Sequence, residues 1–208
     1  MAINLAVLLS GGGTTLQNFL DRIEAGKLDV RIVCVISSRA DAYGLERSRN
    51  AGIPAIAVPR KNFESVEAFG AAVWREVAHY HPDLVVLAGF MSLITVPREY
   101  INRIMNVHPA LIPAFSGKGM YGHHVHEAVI KMGVKVTGVT VHFVDPEYDH
   151  GPIILQAPVP VREGDTPETL AERVQATERD VYPRAIQLFA ERRLTVVEGK
   201  VRVLESRP

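Results

Sequence analysis

The sequence holds one cysteine in 208 residues, Cys34, and that scarcity removes every intramolecular disulfide from consideration. A single thiol suits a reducing compartment. Its place inside Val30-Arg31-Ile32-Val33-Cys34-Val35-Ile36 assigns it to core packing rather than to chemistry. Charge of one sign is also lacking, since 23 basic and 23 acidic residues cancel. No long-range field favours nucleic acid or an anionic membrane, so any polyanion it meets must be small, held in a local pocket for one phosphate. No apolar run approaches the ~20 residues that a membrane span needs, and Met1-Ala2-Ile3-Asn4 has no positive n-region of a signal peptide. The expectation is a cytoplasmic protein with small-molecule substrates, no nucleic acid, no membrane, and a monomeric or homodimeric state.

Several catalytic signatures are absent as well. There is no Gly-x-Ser-x-Gly elbow to seat a serine nucleophile, and Cys34 lies too deep in its strand to serve as one. Ser10-Gly11-Gly12-Gly13-Thr14-Thr15 is not followed by Gly-Lys-Ser/Thr, and Leu16 occupies the place of the third glycine of a dinucleotide fingerprint. Gly117-Lys118-Gly119-Met120 likewise lacks the Ser or Thr of a P-loop. The cluster His123-His124-Val125-His126-Glu127 invites a metal, but a zincin helix would need His-Glu-x-x-His and the second His position holds Ile130. No metal is expected; the three histidines read as the end of a flexible loop carrying Gly117, Gly119 and Gly122.

What is present is an alternation of short apolar, β-branched runs with segments of helical period: Ile3 to Leu9, Leu16 to Glu24, Val30 to Ser37, Leu45 to Ala51 and Ala55 to Val58. This alternation is the βαβ signature. A helix capped by Ser65 carries Val66, Phe69, Val73 and Val77 on one stripe, with His79 and His81 as partners of its C-terminal dipole. Leu84 to Ala88 is apolar without alternation, as a strand buried on both faces of a parallel sheet should be. Ile104 to His108 is the next strand, Glu127 to Lys131 lies in a short helix, and Val134 to Val144 with Ile153 to Val161 are two more strands. A helix opens at Thr166-Pro167-Glu168-Thr169 with Thr166 as N-cap, and helical period resumes from Tyr182 to Arg192. A hairpin of Leu194 to Val197 and Lys200 to Val203 ends the chain. The fold class is α/β: a Rossmann-like, open, mostly parallel sheet with helices on both faces and antiparallel additions toward the C-terminus, in one domain over residues 1–208.

Two places can carry function. The Ser10 to Thr15 loop lies between a buried strand and a helix, where exposed N–H groups and the helix dipole form an anion site. The second strand ends Ser37-Ser38-Arg39 without an acid, which leaves an NADP reading with Arg39 facing a 2′-phosphate. The other place is Asn106-Val107-His108-Pro109 with Tyr148-Asp149-His150-Gly151-Pro152. Asn106 and His108, two residues apart on a strand, point the same way. Together with Asp149 they supply a hydrogen-bond donor, a group titrating near neutrality and a negative charge that would hold a proton on it. The pair sits at the carboxyl end of a strand in an open α/β sheet, where ligands bind. His142, in Val139-Thr140-Val141-His142-Phe143-Val144, reads as readily as a satisfied sheet histidine as a catalytic one.

With these residues the chain resembles the folate-dependent formyltransferases, and within them those that act on a small phosphorylated amine, glycinamide ribonucleotide, in purine synthesis. The likeness runs nearly end to end: the Ser10 to Thr15 loop, Asp41-Ala42-Tyr43-Gly44-Leu45-Glu46, Val86-Leu87-Ala88-Gly89-Phe90-Met91, Asn106-x-His108-Pro109 with Pro113, Gly138-x-Thr140-Val141-His142-Phe143-Val144, Asp149-x-Gly151-Pro152-Ile153-Ile154 and Arg173-Val174-Gln175. The resemblance implies the formyltransferase fold, with residues 1–100 as a phosphate-binding half and 101–208 as a folate-binding and catalytic half. It implies 10-formyltetrahydrofolate as co-substrate. Asn106, His108 and Asp149 would be catalytic, and Gly13, Thr14 and Thr15 would hold the acceptor's phosphate. Gln175, Ala176, Thr177 and Glu178 would meet the same nucleotide, Glu178 at its ribose hydroxyls. Met91, Ser92, Leu93 and Ile94, with Asp145, Pro146, Glu147, Tyr148, Asp149 and Asn106, would form the folate pocket, and residues 114–126 the loop that closes over the site. Related enzymes that formylate a tRNA or hydrolyse the formyl folate resemble this catalytic part but carry additional domains, so a chain of this length points to the small acceptor. The chain departs from some relatives at Val66 and Ser92, where they carry arginines that meet the folate's glutamate tail, and at Thr14-Thr15, where relatives often show Ser-Asn.

Overall fold

The structure, a computed structural model, describes residues 2–205. Residues up to Met105 and residues from Asn106 onward form two compact units. The sheet order is β3-β2-β1-β4-β5-β6-β7, with β8-β9 as a separate pair, and the fold is the expected mostly parallel α/β one with antiparallel strands toward the C-terminus.

The first unit is built on β1 (Ile3–Leu9), whose residues Leu5 to Leu9 have no solvent exposure. An unbroken apolar run of this kind is stable only when both faces of the strand are covered. Each fully buried Leu or Val contributes roughly 1.5–3 kcal/mol. β2 (Val30–Ser37) runs parallel to β1 in the register Ile3↔Val30 to Leu9↔Ser37, and β3 (Ala55–Ala57) runs parallel to β2. The chain then returns to the other side of β1, where β4 (Leu84–Leu87) pairs in parallel from Leu5↔Leu84 to Leu8↔Leu87. The reversal of strand order at β1 and β4 makes a crevice beyond their carboxyl ends, where ligands of open α/β sheets bind. Helices α1 (Thr14–Glu24), α2 (Tyr43–Asn50) and α3 (Val66–His79) connect these strands. Ser65 caps α3 as expected, its side chain accepting from the Ala68 N–H at 3.0 Å. His79 is the last residue of α3, whereas His81 lies beyond it at φ 45°. Cys34 is fully buried in β2, and burial, with the nearby Glu76 charge, pushes its thiol up to about 12.

β5 (Ile104–His108) starts in the first unit and ends in the second. The second unit contains α4 (His123–Met132), β6 (Val136–Phe143), β7 (Ile153–Pro160), α5 (Pro167–Ala190), β8 (Leu194–Val197) and β9 (Lys200–Val203). β6 and β7 pair antiparallel with a register shift between Val141 and His142. Gly151 is required just there, because an added Cβ would run into the Phe143 carbonyl. Ala110, Val125, Val129, Val139, Val159, Leu170 and Val174 form this unit's core.

Two elements differ from the sequence reading. The helical period seen in Tyr182 to Arg192 belongs to one continuous helix, α5, which passes through Gln175 to Asp180 and contains Pro183. Gln175 and Ala176 are solvent-exposed, so that stretch carries little of the apolar stripe that makes a helix readable. Pro183 costs on the order of 3 kcal/mol in a helix interior, offset by the burial of Leu170, Val174, Tyr182, Ala185, Ile186 and Leu188. The second difference is that His123, His124 and His126 form the first turn of α4 and do not end a loop. Burial of Val125, His126 and Val129 on one face draws that turn into the helix. The α5 start is as expected: Thr166 and Thr169 exchange backbone-to-side-chain bonds in a capping box with Pro167 in the first turn. The Arg173 guanidinium bonds Asp165 through two nitrogens at 2.7 and 2.8 Å and also donates to the Pro160 carbonyl. That pairing holds the Asp165 carboxyl well below the usual carboxylate range.

Candidate functional site

In the second unit the end of β5 and the turn after β6 bring four polar side chains together. His108 is 3% exposed, and its Nδ1 lies 3.4 Å from the Asp149 Oδ2, a carboxylate that is itself only 12% exposed. The other ring nitrogen, Nε2, donates to the Phe115 carbonyl at 2.7 Å. Both nitrogens of His108 therefore face oxygen atoms. Gly117 N–H donates to the same Asp149 oxygen at 3.1 Å. Residues 115–117 thus engage both members of the pair. Phe115 and Asp149 each adopt a left-handed backbone, at φ 52° and 51°. For residues with a Cβ this costs about 1–2 kcal/mol, less for Asp, whose short side chain tolerates it.

Asn106 reaches the same cluster through His142, its Nδ2 lying 3.4 Å from Nε2 of that ring. His142 is buried, and its Nδ1 lies 2.8 Å from the Phe143 carbonyl, which accepts a proton only if Nδ1 carries it. Nε2 then holds a lone pair and accepts from the Asn106 amide. Burial lowers the pKa of His142, which keeps this neutral tautomer in place near neutral pH, although Asp149 Oδ1 lies 3.8 Å from Nε2. One Asn106 N–H is thereby directed to the His142 ring. From sequence His142 reads as readily as a satisfied sheet histidine as a catalytic one; the signal that joins it to a polar network is spacing, because Thr140 and His142 are alternate residues of β6 and so share a face. Thr140 donates to the Ala110 carbonyl at 2.7 Å and accepts from Ile112 N–H at 3.1 Å. Gln156 donates to both Thr140 Oγ1 and the Ile112 carbonyl at 3.0 Å. These bonds fix the chain that leaves His108.

Of the other residues expected in this unit, Asp145 to Asp149 form the irregular turn between β6 and β7. Asp145 accepts from Glu147 N–H at 2.9 Å and pairs with His150 at 2.7 Å, which raises the His150 pKa. Tyr148 is exposed. Gln175, Ala176, Thr177 and Glu178 occupy consecutive positions in the middle of α5. His126 is buried with its Nδ1 unpartnered among the described residues. No group of His, Cys, Asp and Glu among the described residues is arranged to hold a metal ion.

In the first unit, Gly13 precedes α1 at φ 72°, and Thr14 and Thr15 are its first residues. Ser10 N–H donates to the Gly89 carbonyl at 3.1 Å, and Ser10 Oγ accepts from Met91 N–H at 2.8 Å. The loops after β1 and β4 are thus tied together at the switch point. Met91 and Leu93 expose their side chains, while Ile94 is buried. Arg39, the residue an NADP site would need, bonds Asp41 through two nitrogens at 3.1 and 2.7 Å. No described helix is long and apolar enough to cross a membrane.

Residues 3–186 match the formyl transferase family. The chain is 40% identical over 199 residues to phosphoribosylglycinamide formyltransferase of Escherichia coli, a match that spans 95% of this chain and 92% of that protein. A solved structure of glycinamide ribonucleotide transformylase 1 from Symbiobacterium toebii is similar at a TM-score of 0.91 and 48% identity, covering 98% of this chain and 95% of that one. A formyltetrahydrofolate deformylase from Pseudomonas syringae is similar at a TM-score of 0.87 and 30% identity, across 99% of this chain and 67% of that one.

Proposed function

We propose formyl transfer from 10-formyltetrahydrofolate to the amine of glycinamide ribonucleotide as this chain's reaction, because the chain belongs to the formyl transferase family. It is an enzyme of purine biosynthesis, in line with a relative from Bos taurus that is named a trifunctional purine biosynthetic protein. Its partners are the two small molecules, and residues 1–208 act as one domain with a phosphate-binding and a folate-binding, catalytic half. The reading rests above all on the pairing of His108 with Asp149 beside the Asn106 and His142 pair.

The glycinamide nitrogen attacks the formyl carbon, and negative charge develops on the formyl oxygen in a tetrahedral intermediate. Asn106 donates one hydrogen bond to that oxygen through the N–H that His142 leaves over. His108 donates a second, charge-assisted one, with the formyl oxygen taking the place of the Phe115 carbonyl at Nε2. Donors held ready for a developing oxyanion are worth on the order of 10²–10³ in rate each. Asp149 keeps the charged form of His108 paired and, directly or through water, carries the proton from the attacking amine to the departing N10. The C–N10 bond breaks as the new C–N bond remains, so formyl moves and tetrahydrofolate leaves with the proton. In the first unit Gly13, Thr14 and Thr15, at the start of α1, are assigned to the acceptor's phosphate and Met91 to Ile94 to the folate; in the second, Gln175 to Glu178 are assigned to the nucleotide and Asp145 to Asp149 to the folate.

A second reading is favoured by the likeness to the deformylase: the same donors with water in place of the amine would hydrolyse the formyl folate. An absorbance assay of tetrahydrofolate formation separates the two. Turnover that requires glycinamide ribonucleotide supports the transferase, whereas equal turnover without any acceptor would overturn it in favour of hydrolysis.

A further inference from the structure

None of the residues of the segment Asp41-Ala42-Tyr43-Gly44-Leu45-Glu46 enters the transfer described above. In the first unit it opens α2, and what it touches is the glycine loop. Gly44 N–H donates to the Gly11 carbonyl at 3.0 Å. Arg47, one turn into α2, donates from Nε to the Gly12 carbonyl at 2.8 Å and from Nη1 to Gln17 Oε1 at 2.8 Å. Its guanidinium lies over the Tyr43 ring, 5.1 Å from the centroid. Gly13 packs so closely on α2 that an added Cβ would fall 2.6 Å from the Gly44 Cα. Its own carbonyl accepts from Gln17 N–H at 2.9 Å, the first bond of α1.

All three glycine carbonyls are therefore committed. In a trans peptide the C=O and the following N–H point in opposite directions. A carbonyl tied toward α2 sends the next N–H away from it, so Gly12 and Gly13 present their N–H groups on the side facing away from that helix. Thr14 N–H, whose peptide carbonyl is tied along α1, points off the helix start. No described acceptor meets these three N–H groups. A diglycine peptide flips readily, since glycine occupies left- and right-handed regions at little cost. Of the three ties, only the one to Gly12 comes from a side chain.

We propose that Arg47 is a positioning residue for the acceptor's phosphate: by holding the Gly12 carbonyl against α2 it keeps the Gly13 N–H turned toward the phosphate site. This inference rests on the proposed role of the glycine loop. It is tested by kinetics of Arg47→Gln and Arg47→Lys with two acceptors, glycinamide ribonucleotide and its dephosphorylated nucleoside. Loss of one charge-assisted support predicts about a tenfold rise in KM for the ribonucleotide in Arg47→Gln, with kcat and the KM for the formyl donor unchanged within about twofold. Arg47→Lys, which keeps the charge and one donor, should recover part of the loss. With the nucleoside, wild type and variants should be alike, because no phosphate then needs the loop. An equal loss on both acceptors, or a loss confined to kcat, would overturn the positioning role. Should Arg47→Gln fail to fold, as thermal unfolding would show, the ratio of nucleotide to nucleoside KM in Arg47→Lys decides the same question. Wild-type enzyme that treats nucleotide and nucleoside alike would overturn the phosphate-loop reading itself, and the inference with it.

Discussion

At the end of β1 the groups proposed to meet a ligand are peptide N–H bonds, whereas at the end of β5 they are side-chain nitrogens and a carboxylate. The glycine loop is held by ties to its carbonyls, so its donors do not depend on which side chains Thr14 and Thr15 carry. The cluster of Asn106, His108, His142 and Asp149 is held by bonds between the functional groups themselves, so each member sets the state of another. A backbone site tolerates substitution and binds. A side-chain site does not tolerate it, because a changed residue removes both a group and its neighbour's support.

The widest gap between the two regions should open with His108→Ala or Asp149→Ala. Either is expected to lower kcat by on the order of 10²–10³ while leaving the KM for ribonucleotide within about threefold. Near-normal kcat in both variants would collapse the distinction. His142→Ala should cost less, about tenfold to a hundredfold in kcat, because it frees the Asn106 amide to rotate without removing it. His142 also supplies a pH test. Its folded pKa is depressed by burial, so the contribution of its neutral form is present above the unfolded value of 6.5 and is lost as pH falls through the lower folded value. The wild-type kcat profile should carry an acid limb below pH 6.5 that is absent in His142→Gln; a limb unchanged in that variant assigns it to another group.

Smaller still is the effect expected at the loop. Thr15→Asp places a carboxylate in the first turn of α1, where it should favour the helix by a few tenths of a kcal/mol yet repel phosphate, raising the ribonucleotide KM about tenfold. Steady-state kinetics beside thermal unfolding would read both signs, and an unchanged KM would detach the loop from phosphate. The smallest effect concerns the turn that carries Asp149. The Asp145 carboxylate raises the His150 pKa, so the pairing is fully present below 6.5 and is lost as pH rises through the folded value. His150→Gln should therefore lower kcat less than twofold, and only on the acid side, as a profile across neutral pH would show.

The two regions were also unequally legible in the sequence. β1, β2, β5 and the β8-β9 hairpin follow the bounds that their apolar runs imply, and Ser65 and Thr166 cap their helices as their chemistry suggests. Local propensity decides such features. The continuity of α5 through Gln175 to Asp180, a stretch with no buried residue, is a matter of packing on either side, which no local window contains. In the cluster, Asn106, His108 and Asp149 were readable as residue types at a strand end, but the occupation of His108 Nε2 by a carbonyl was not. That acceptor comes from the left-handed backbone of Phe115, and nothing in a phenylalanine announces it. The purpose of Gly44 and Arg47 is hidden for the same reason: they act on carbonyls, and carbonyls are common to every residue.

Cys34 offers a different kind of handle. As the sole thiol of the chain, fully buried and pushed up to about 12, it has almost no thiolate to offer a reagent in the native state. Modification then has to wait for the central strands to separate, so the rate of thiol labelling under native conditions counts openings of the core. The protein carries its own clock for unfolding, and it ticks at a position remote in chemistry from every residue proposed to bind or transfer the formyl group.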